Sequence, residues 1–419
     1  MNKQSAIGNP KSQIVVVGAG PAGSSLAIRL AKNGFDVCLI EREKFPRHKL
    51  CGEFVSPECL IHFENLGVLE EMFSVGGERI TETVFYAPNG RNVSVPSEWF
   101  GNAQGALGIS RAEMDFRLLE KAKTSGVKVL EETQVIGVLF EGSAVCGVKV
   151  KSKSGETSEI TADLTIDATG RANVLGKLVQ KSQVSSLKSQ VSSPKSQVKK
   201  IQNPKSKIQN RLVGFKAHLE NVNLEKGRCE IYFFRGGYGG LNFVEDNRAN
   251  HCFLIKADIV KKYIGQTNLL IEEIIFKNKR AFETMKEARA LFDWLAVSVD
   301  GFGMKNLNPA PNLLAVGDAA AFIDPFTGSG MLMALESAKI LTQIITENRF
   351  STAEIGENYN LNFQQKFQKR LRICSLMRRA AFVPNLAKTV ISALSLSRVA
   401  REMLARSTRH SGIIKKSNT

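Results

Sequence analysis

The chain has 419 residues, 43% hydrophobic and 23% charged, which is ordinary for a globular protein and enough for a large core and a deep cleft. Its net charge of +17 sits in two places: residues 176–211 carry nine Lys/Arg and no acid, residues 369–419 carry twelve against Glu402 alone, and the remaining body is near neutral. With no nucleic-acid motif, no Cys/His pair at ligand spacing among seven scattered cysteines and no apolar run of about 18 residues, a nucleic-acid partner, a metal site, a disulfide framework and a membrane span are not expected.

From Ile14 the order is strand ("IVVV"), glycine turn (18–23), helix (24–33) and strand (36–41), a βαβ opening. Residues 1–12 lack the apolar segment of a secretory leader, so a cytoplasmic location is expected. A helix follows over 56–72, then a hairpin over 80–100 with an Asn-Gly turn, an amphipathic helix over 111–126 and strands over 127–167. Three copies of Lys-Ser-Gln-Val, starting at 181, 188 and 195, have the period of a coiled coil. Each offers a single Val, and Pro194 and Pro204 break a helix, so residues 177–211 read as a disordered, low-complexity basic insert. Beyond it, "RLVGFKAHL", "CEIYFFRGGYGGLNFVE" and "ANHCFLIK" read as three strands of a sheet, with "GGYGG" as a tight turn. A helical stretch over 266–292, a strand at 312–318, a helix from about 329 to 345 and basic helices to 410 complete the chain. In the last of these, Leu386, Val390 and Leu394 share a face opposite basic residues. That arrangement suits packing on the protein or peripheral contact with an anionic membrane.

Gly18-Ala19-Gly20-Pro21-Ala22-Gly23 is a G-x-G-x-x-G between a strand and a helix, and Glu41 ends the second strand eighteen residues after Gly23. Gly18 makes the turn, Gly20 lets backbone approach a pyrophosphate, and Gly23 permits close helix–sheet packing. The helix N-terminus supplies N–H groups and a positive dipole, and Glu41 accepts from an adenosine ribose. A carboxylate there disfavours a 2′-phosphate, so NAD or FAD is expected over NADP.

Two further segments lie downstream: "TIDATGRAN" (165–173), a strand end with small residues, and "NLLAVGDAAAFIDPFTGSGMLMALESAKIL" (312–341). With these in order after the glycine loop, the chain resembles the FAD-dependent superfamily of p-hydroxybenzoate-hydroxylase-like monooxygenases, flavin-dependent halogenases and geranylgeranyl reductases. The resemblance implies FAD, held at its diphosphate by Gly18, Gly20, Pro21, Ala22 and Gly23. It implies Glu41 and Arg42 at the adenosine, Val135 at the adenine, Arg111 at the phosphate and ribitol, and Gly317-Asp318 at the ribitol. Pro325, Gly328 and Gly330 would lie beside the isoalloxazine. A cation at a helix start is otherwise unfavourable, so a phosphate partner accounts for Arg111, and the alternative role for Asp318 is a helix N-cap. Cys51-Gly52 in "RHKLCGE" reads as a small pair that lets backbone approach the flavin. His48 and Cys51 are the candidate catalytic residues.

The fold implied is α/β: a glutathione-reductase-like FAD-binding Rossmann domain (12–80, 109–176 and 301–345) with an inserted mixed β-sheet substrate domain (81–108 and 212–300). Basic C-terminal helices (346–419) follow. The function implied is FAD-dependent redox chemistry on a small lipophilic or aromatic molecule, with NAD(P)H as transient reductant. Monooxygenation through a flavin C4a-hydroperoxide leads. Hydride transfer to an isoprenoid double bond is the alternative, and electron transfer to a membrane partner a third reading. The chain has only Trp99 and Trp294, far apart, where halogenases of the superfamily carry a paired-tryptophan motif.

Overall fold

The computed structural model describes residues 11–100, 104–190, 211–348, 352–382 and 384–407. Two large sheets organise it. In the first, Lys11–Val17 is central, flanked in parallel by Val37–Ile40 and then Lys128–Leu130 on one side and by Thr157–Asp167 on the other. The last residues of Thr157–Asp167 pair in parallel with Leu313–Ala315. Its first residues pair antiparallel with Ala144–Ser152, which leads on to Thr133–Glu141.

The run "IVVV" is apolar throughout because both faces of this sheet are covered. Ile14 and Val16 pack with Leu26 and Leu30 of helix Pro21–Lys32, while Val15 and Val17 pack with Val135, Leu175 and Val179. Leu26 is wholly buried, and truncation to Ala would cost about 2–5 kcal/mol. Helix Gly330–Glu347 packs on Pro21–Lys32, and Thr352–Ala381 packs in turn on Gly330–Glu347, burying Tyr359, Phe363 and Phe367.

The second sheet runs Arg289–Ala290, Leu212–Glu220, Ala249–Lys256, Gly237–Phe243, Arg228–Phe234, Glu82–Tyr86, Asn92–Pro96, with Leu295–Val299 also on Leu212–Glu220. The expected hairpin is present as Glu82–Tyr86 and Asn92–Pro96, turning at Gly90 with φ +87°. Helices Pro384–Ser395 and Arg398–Ser407 lie over its outer strand.

Four expectations need correction. The "GGYGG" segment is not a turn: the chain reverses at Arg235-Gly236, where Gly236 has φ +75°, and Gly237, Gly239 and Gly240 lie within strand Gly237–Phe243, so there are four strands rather than three. Glycine is needed inside that strand because a Cβ at Gly237 would meet Leu254 O at 2.2 Å and one at Gly239 would meet Phe253 Cβ at 2.7 Å.

The basic insert (177–211) begins as helix, since Val174–Gln190 takes in the first repeat and the start of the second. Leu175 and Val179 anchor its first turns on the sheet, and a nucleated helix adds further residues at little cost. The third repeat, Pro194 and Pro204 lie outside the described residues. The helix expected over 56–72 is two, Pro57–Leu66 and Leu69–Ser74, broken at Gly67 with φ +74°. The stretch 266–292 likewise divides into Thr267–Ile274 and Lys279–Met285, the second capped by Asn278, before strand Arg289–Ala290. Among the described residues no helix is long and apolar enough to cross a membrane.

Candidate functional site

A cavity of about 1330 Å³ is lined by residues of both sheets and by the C-terminal helices. Pockets for one drug-sized ligand run to roughly 300–1,000 Å³, so it has room for a large cofactor and a second molecule.

The three glycines of the turn have different neighbours. A Cβ on Gly18, at φ +103°, would stand 2.5 Å from Ala168 O, and one on Gly23 would stand 1.9 Å from Gly18 O. Gly18 and Gly23 are therefore glycines because backbone crosses backbone. At Gly20 the nearest atom is Arg111 Nη2, 3.8 Å away, so this position opens on the cavity. Helix Pro21–Lys32 starts there with no acid in its first turn, which leaves its positive end uncompensated by the chain. "TIDATG" is ordered by buried Asp167, which accepts from Thr169 N (2.9 Å) and Leu175 N (2.9 Å) and so caps the following helix.

Glu41 is held from two sides: Oε2 accepts from Ala19 N at 2.9 Å and Oε1 from Glu43 N at 3.0 Å, with Arg47 at 3.8 Å. It lines the cavity while fixing the glycine loop. Arg42 is exposed at the rim and pairs with Glu43 at 3.2 Å. Val135 is buried in strand Thr133–Glu141 and borders the same end.

Arg111 at its helix start has an acidic partner within the chain, so its position alone does not call for a phosphate. Its guanidinium is forked onto wholly buried Asp115, Nε to Oδ1 at 2.8 Å and Nη2 to Oδ2 at 2.6 Å, and Arg47 Nη1 reaches the same Oδ2 at 2.9 Å. An i,i+4 carboxylate, not a ligand alone, accounts for the cation there. Arg111 still lines the cavity, with Arg47 and Lys49 beside it. Burial, then Arg111 and Arg47, lower the Lys49 ammonium to about 8.

Gly317 does not line the cavity. It packs against Ala22, where a Cβ would approach to 2.8 Å, and its N–H donates to Ser337 Oγ at 3.0 Å. Asp318 does line it, inside the short turn Gly317–Ala319 rather than at a helix N-cap. Burial raises its pKa, against the pull of Arg171 and Lys305. Lys305 Nζ donates to Asp318 O at 2.8 Å and braces the turn. Pro325, Gly328 and Gly330 line the cavity at the start of helix Gly330–Glu347. Asp324 just before them accepts from Tyr238 Oη at 2.6 Å and from Phe326 N at 2.9 Å, and so joins this segment to the second sheet.

Opposite, His48, Cys51 and Gly52 line the cavity, and a Cβ on Gly52 would meet nothing within 4 Å. Their loop is pinned by the second sheet: Lys216 Nζ donates to Lys49 O (3.2 Å), Asn250 Nδ2 to Cys51 O (3.2 Å) and Asn242 Nδ2 to Glu53 O (3.3 Å). Glu53, wholly buried with φ +51°, is the anchor. Its carboxylate takes Lys216 Nζ, His218 Nε2 (2.6 Å) and Arg111 N (2.8 Å). Burial pushes its pKa up, but the His218 hydrogen bond and the Lys216 charge outweigh this and hold it below the ordinary value. The His48 ring meets His218 edge-on at 5.8 Å, and burial and Lys216 lower its pKa.

Sequence reasoning missed Glu53, Lys216 and His218. A signal was present: Lys216 and His218 alternate within the apolar "RLVGFKAHL", so they share one strand face and demand a buried anion.

The site thus offers a positive helix end at an open glycine, a carboxylate at the second strand, a cationic cluster beside them and an open glycine opposite. That set fits a dinucleotide with a ring system at its far end. A family model described as an FAD binding domain matches residues 11–209. The protein is an FAD-dependent oxidoreductase, similar to monooxygenases, halogenases and geranylgeranyl reductases. This flavoprotein is 26% identical over 365 residues to digeranylgeranylglycerophospholipid reductase 1 of Methanococcoides burtonii, covering 86% of this chain and 79% of that one. It is 25% identical over 390 residues to tryptophan 2-halogenase of Chondromyces crocatus, covering 85% and 66%. Its fold is like that of a flavin-dependent brominase, with a TM-score of 0.75 at 18% identity over 95% and 93% of the two chains.

Proposed function

We propose that the protein uses FAD to reduce a carbon–carbon double bond of a long, isoprenoid-like lipophilic molecule, with NAD(P)H as the external reductant. The observation that carries this reading is the cavity wall away from the cofactor residues. Phe85, Val93, Val95, Phe233, Ile391 and Leu394 bound it, a surface that a hydrocarbon chain covers without leaving a polar group unpaired. The reductase of Methanococcoides burtonii supports the same reading.

Bound FAD supplies the hydride. The chain's own residues hold the alkene against the ring, exclude water and provide the proton that completes the saturated product. His48, Lys49 and Cys51 are cavity-lining groups with transferable protons on the Glu53-anchored loop.

The second reading is monooxygenation of a lipophilic or aromatic molecule with O2 as co-substrate. The cluster in which Phe326 meets Phe85, Phe233 and Tyr238 at 5.2–5.8 Å between ring centres favours it, because aromatic edges and faces there suit an aromatic substrate. The halogenase relative carries less weight: Trp99 and Trp294 are apart, and Trp294 packs against His251 and Phe253.

Reconstituted protein given NAD(P)H and a geranylgeranyl-bearing lipid without oxygen should yield product richer by two hydrogens per double bond. Product gaining an oxygen atom, only in air and with oxygen consumption, would replace reduction by the second reading.

A further inference from the structure

The C-terminal helix Arg398–Ser407 is apolar on two sides. At about 3.6 residues per turn, Leu404, Arg401 and Ala405 fall within about 100° of one another, and Val399, Met403 and Arg406 fall within about 60° on the other side. Leu404, Arg401 and Ala405 line the cavity, together with Val390, Ile391 and Leu394 of the preceding helix Pro384–Ser395. Val399 and Met403 are each 68% exposed, and Leu396, in the link between the helices, is 88% exposed. Leu376, on the neighbouring helix Thr352–Ala381, lines the cavity and is 66% exposed, so the apolar surface runs from the cavity rim to the outside.

A helix that only packed on its own protein would bury its large apolar residues on one side. Here Val399 and Met403 stand in water, with Leu396 of the link also exposed, bordered by exposed Arg398 and Arg406. From residue 369 to the end there are twelve cations against Glu402, and Glu402 is itself paired with Arg406 at 2.7 Å.

We propose that Leu396, Val399 and Met403 insert into the surface of an anionic lipid bilayer, with Arg398 and Arg406 at its headgroups, so that these two helices dock the cavity rim on a membrane. Exposed apolar residues beside a cationic border are what an interfacial helix needs, and the charge balance selects an anionic surface. Lateral entry of a lipophilic molecule from the bilayer follows from the position of Leu376, Val390 and Leu394 between the rim and the cavity interior. The docking holds whichever of the two reactions the site performs.

The test is sedimentation of full-length, FAD-loaded protein with vesicles of phosphatidylcholine alone or mixed with phosphatidylglycerol. Binding to the mixed vesicles, weakened by added salt, is expected. Val399→Asp with Met403→Asp should reduce it roughly tenfold or more, since two insertions are lost. Arg398→Gln with Arg406→Gln should reduce it only where anionic lipid is present. The flavin spectrum should be unchanged in both, because none of the four residues lines the cavity. No binding to either vesicle, or undiminished binding by the Asp variant, overturns the proposal. So does a dimer in solution that the Asp variant dissociates, since the face would then be covered by a second copy.

Discussion

Gly20 and Gly23 stand three residues apart in one motif, and replacing them should fail in different ways. A Cβ at Gly23 would fall 1.9 Å from Gly18 O, and both partners are backbone. Gly23→Ala should therefore cost stability, by about 1–3 kcal/mol or more, visible in urea unfolding of the cofactor-free protein. Gly20 has φ −72° and an open side toward the cavity, so Gly20→Val should leave that unfolding curve in place. Its side chain would occupy the space for the diphosphate, and FAD affinity should fall roughly tenfold or more. A Gly20→Val protein that still bound FAD normally would remove the phosphate role of this loop. Lys49 allows a second measurement. Its ammonium loses its proton at about pH 8, and the protonated form is the one that attracts a diphosphate. FAD affinity should weaken as pH rises through 8, and Lys49→Gln should be weaker on the acid side and flat across that range, so that the two proteins converge as the lysine loses its charge. An unchanged slope in Lys49→Gln would assign the titration elsewhere.

Between elements, the tie with the most to lose is Glu53. It joins the loop after Val37–Ile40 to strand Leu212–Glu220 through Lys216 and His218, all three buried. Glu53→Gln keeps the shape and removes the charge, leaving the Lys216 ammonium uncompensated, and should destabilise by about 3–5 kcal/mol in urea unfolding. Adding Lys216→Met should recover part of that loss, because the orphaned cation goes with it. If the double variant is no more stable than Glu53→Gln, the pair does not act as a unit.

Glu53 also shows what could be read in advance. The βαβ opening and the open Gly20 were legible because glycine spacing and apolar runs are local patterns. Glu53 meets its partners 163 and 165 residues along the chain; the strand pattern around Lys216 and His218 calls for a buried anion, but nothing local says which carboxylate supplies it. Asp115 was four residues from Arg111 and could have been found by helical spacing alone. The "GGYGG" strand was hidden for another reason: its glycines answer to Leu254 and Phe253 on a neighbouring strand, not to a turn.

Across the molecule, acid should weaken both halves at once. His62, on helix Pro57–Leu66, is buried beside Arg29, with burial first and then the Arg29 charge lowering its pKa to about 3. His251, in strand Ala249–Lys256, is buried among Phe253 and Trp294, and burial alone lowers it to about 3. Unfolded histidine takes up a proton near ~6.5. Below that pH the unfolded chain binds more protons than the native one, so stability is full above 6.5 and falls as pH drops toward 3. The slope is up to about 1.4 kcal/mol per pH unit for each histidine. Glu53 has the same sign in a lower window: its folded pKa is depressed, so its contribution is intact above the unfolded carboxylate value near ~4.3 and is lost below it. Stability measured by urea unfolding at a series of pH values should therefore begin to fall near ~6.5, where the unfolded histidines take up protons. His251→Leu, which removes a ring nitrogen that has no hydrogen-bond partner among the described residues, should flatten the upper part of that fall, and His62→Gln should flatten it independently. Because the two histidines lie in different halves, their effects should add. A profile level down to pH 5 in the unaltered protein would mean that both rings reach water in solution and that the two cores are looser than their packing indicates.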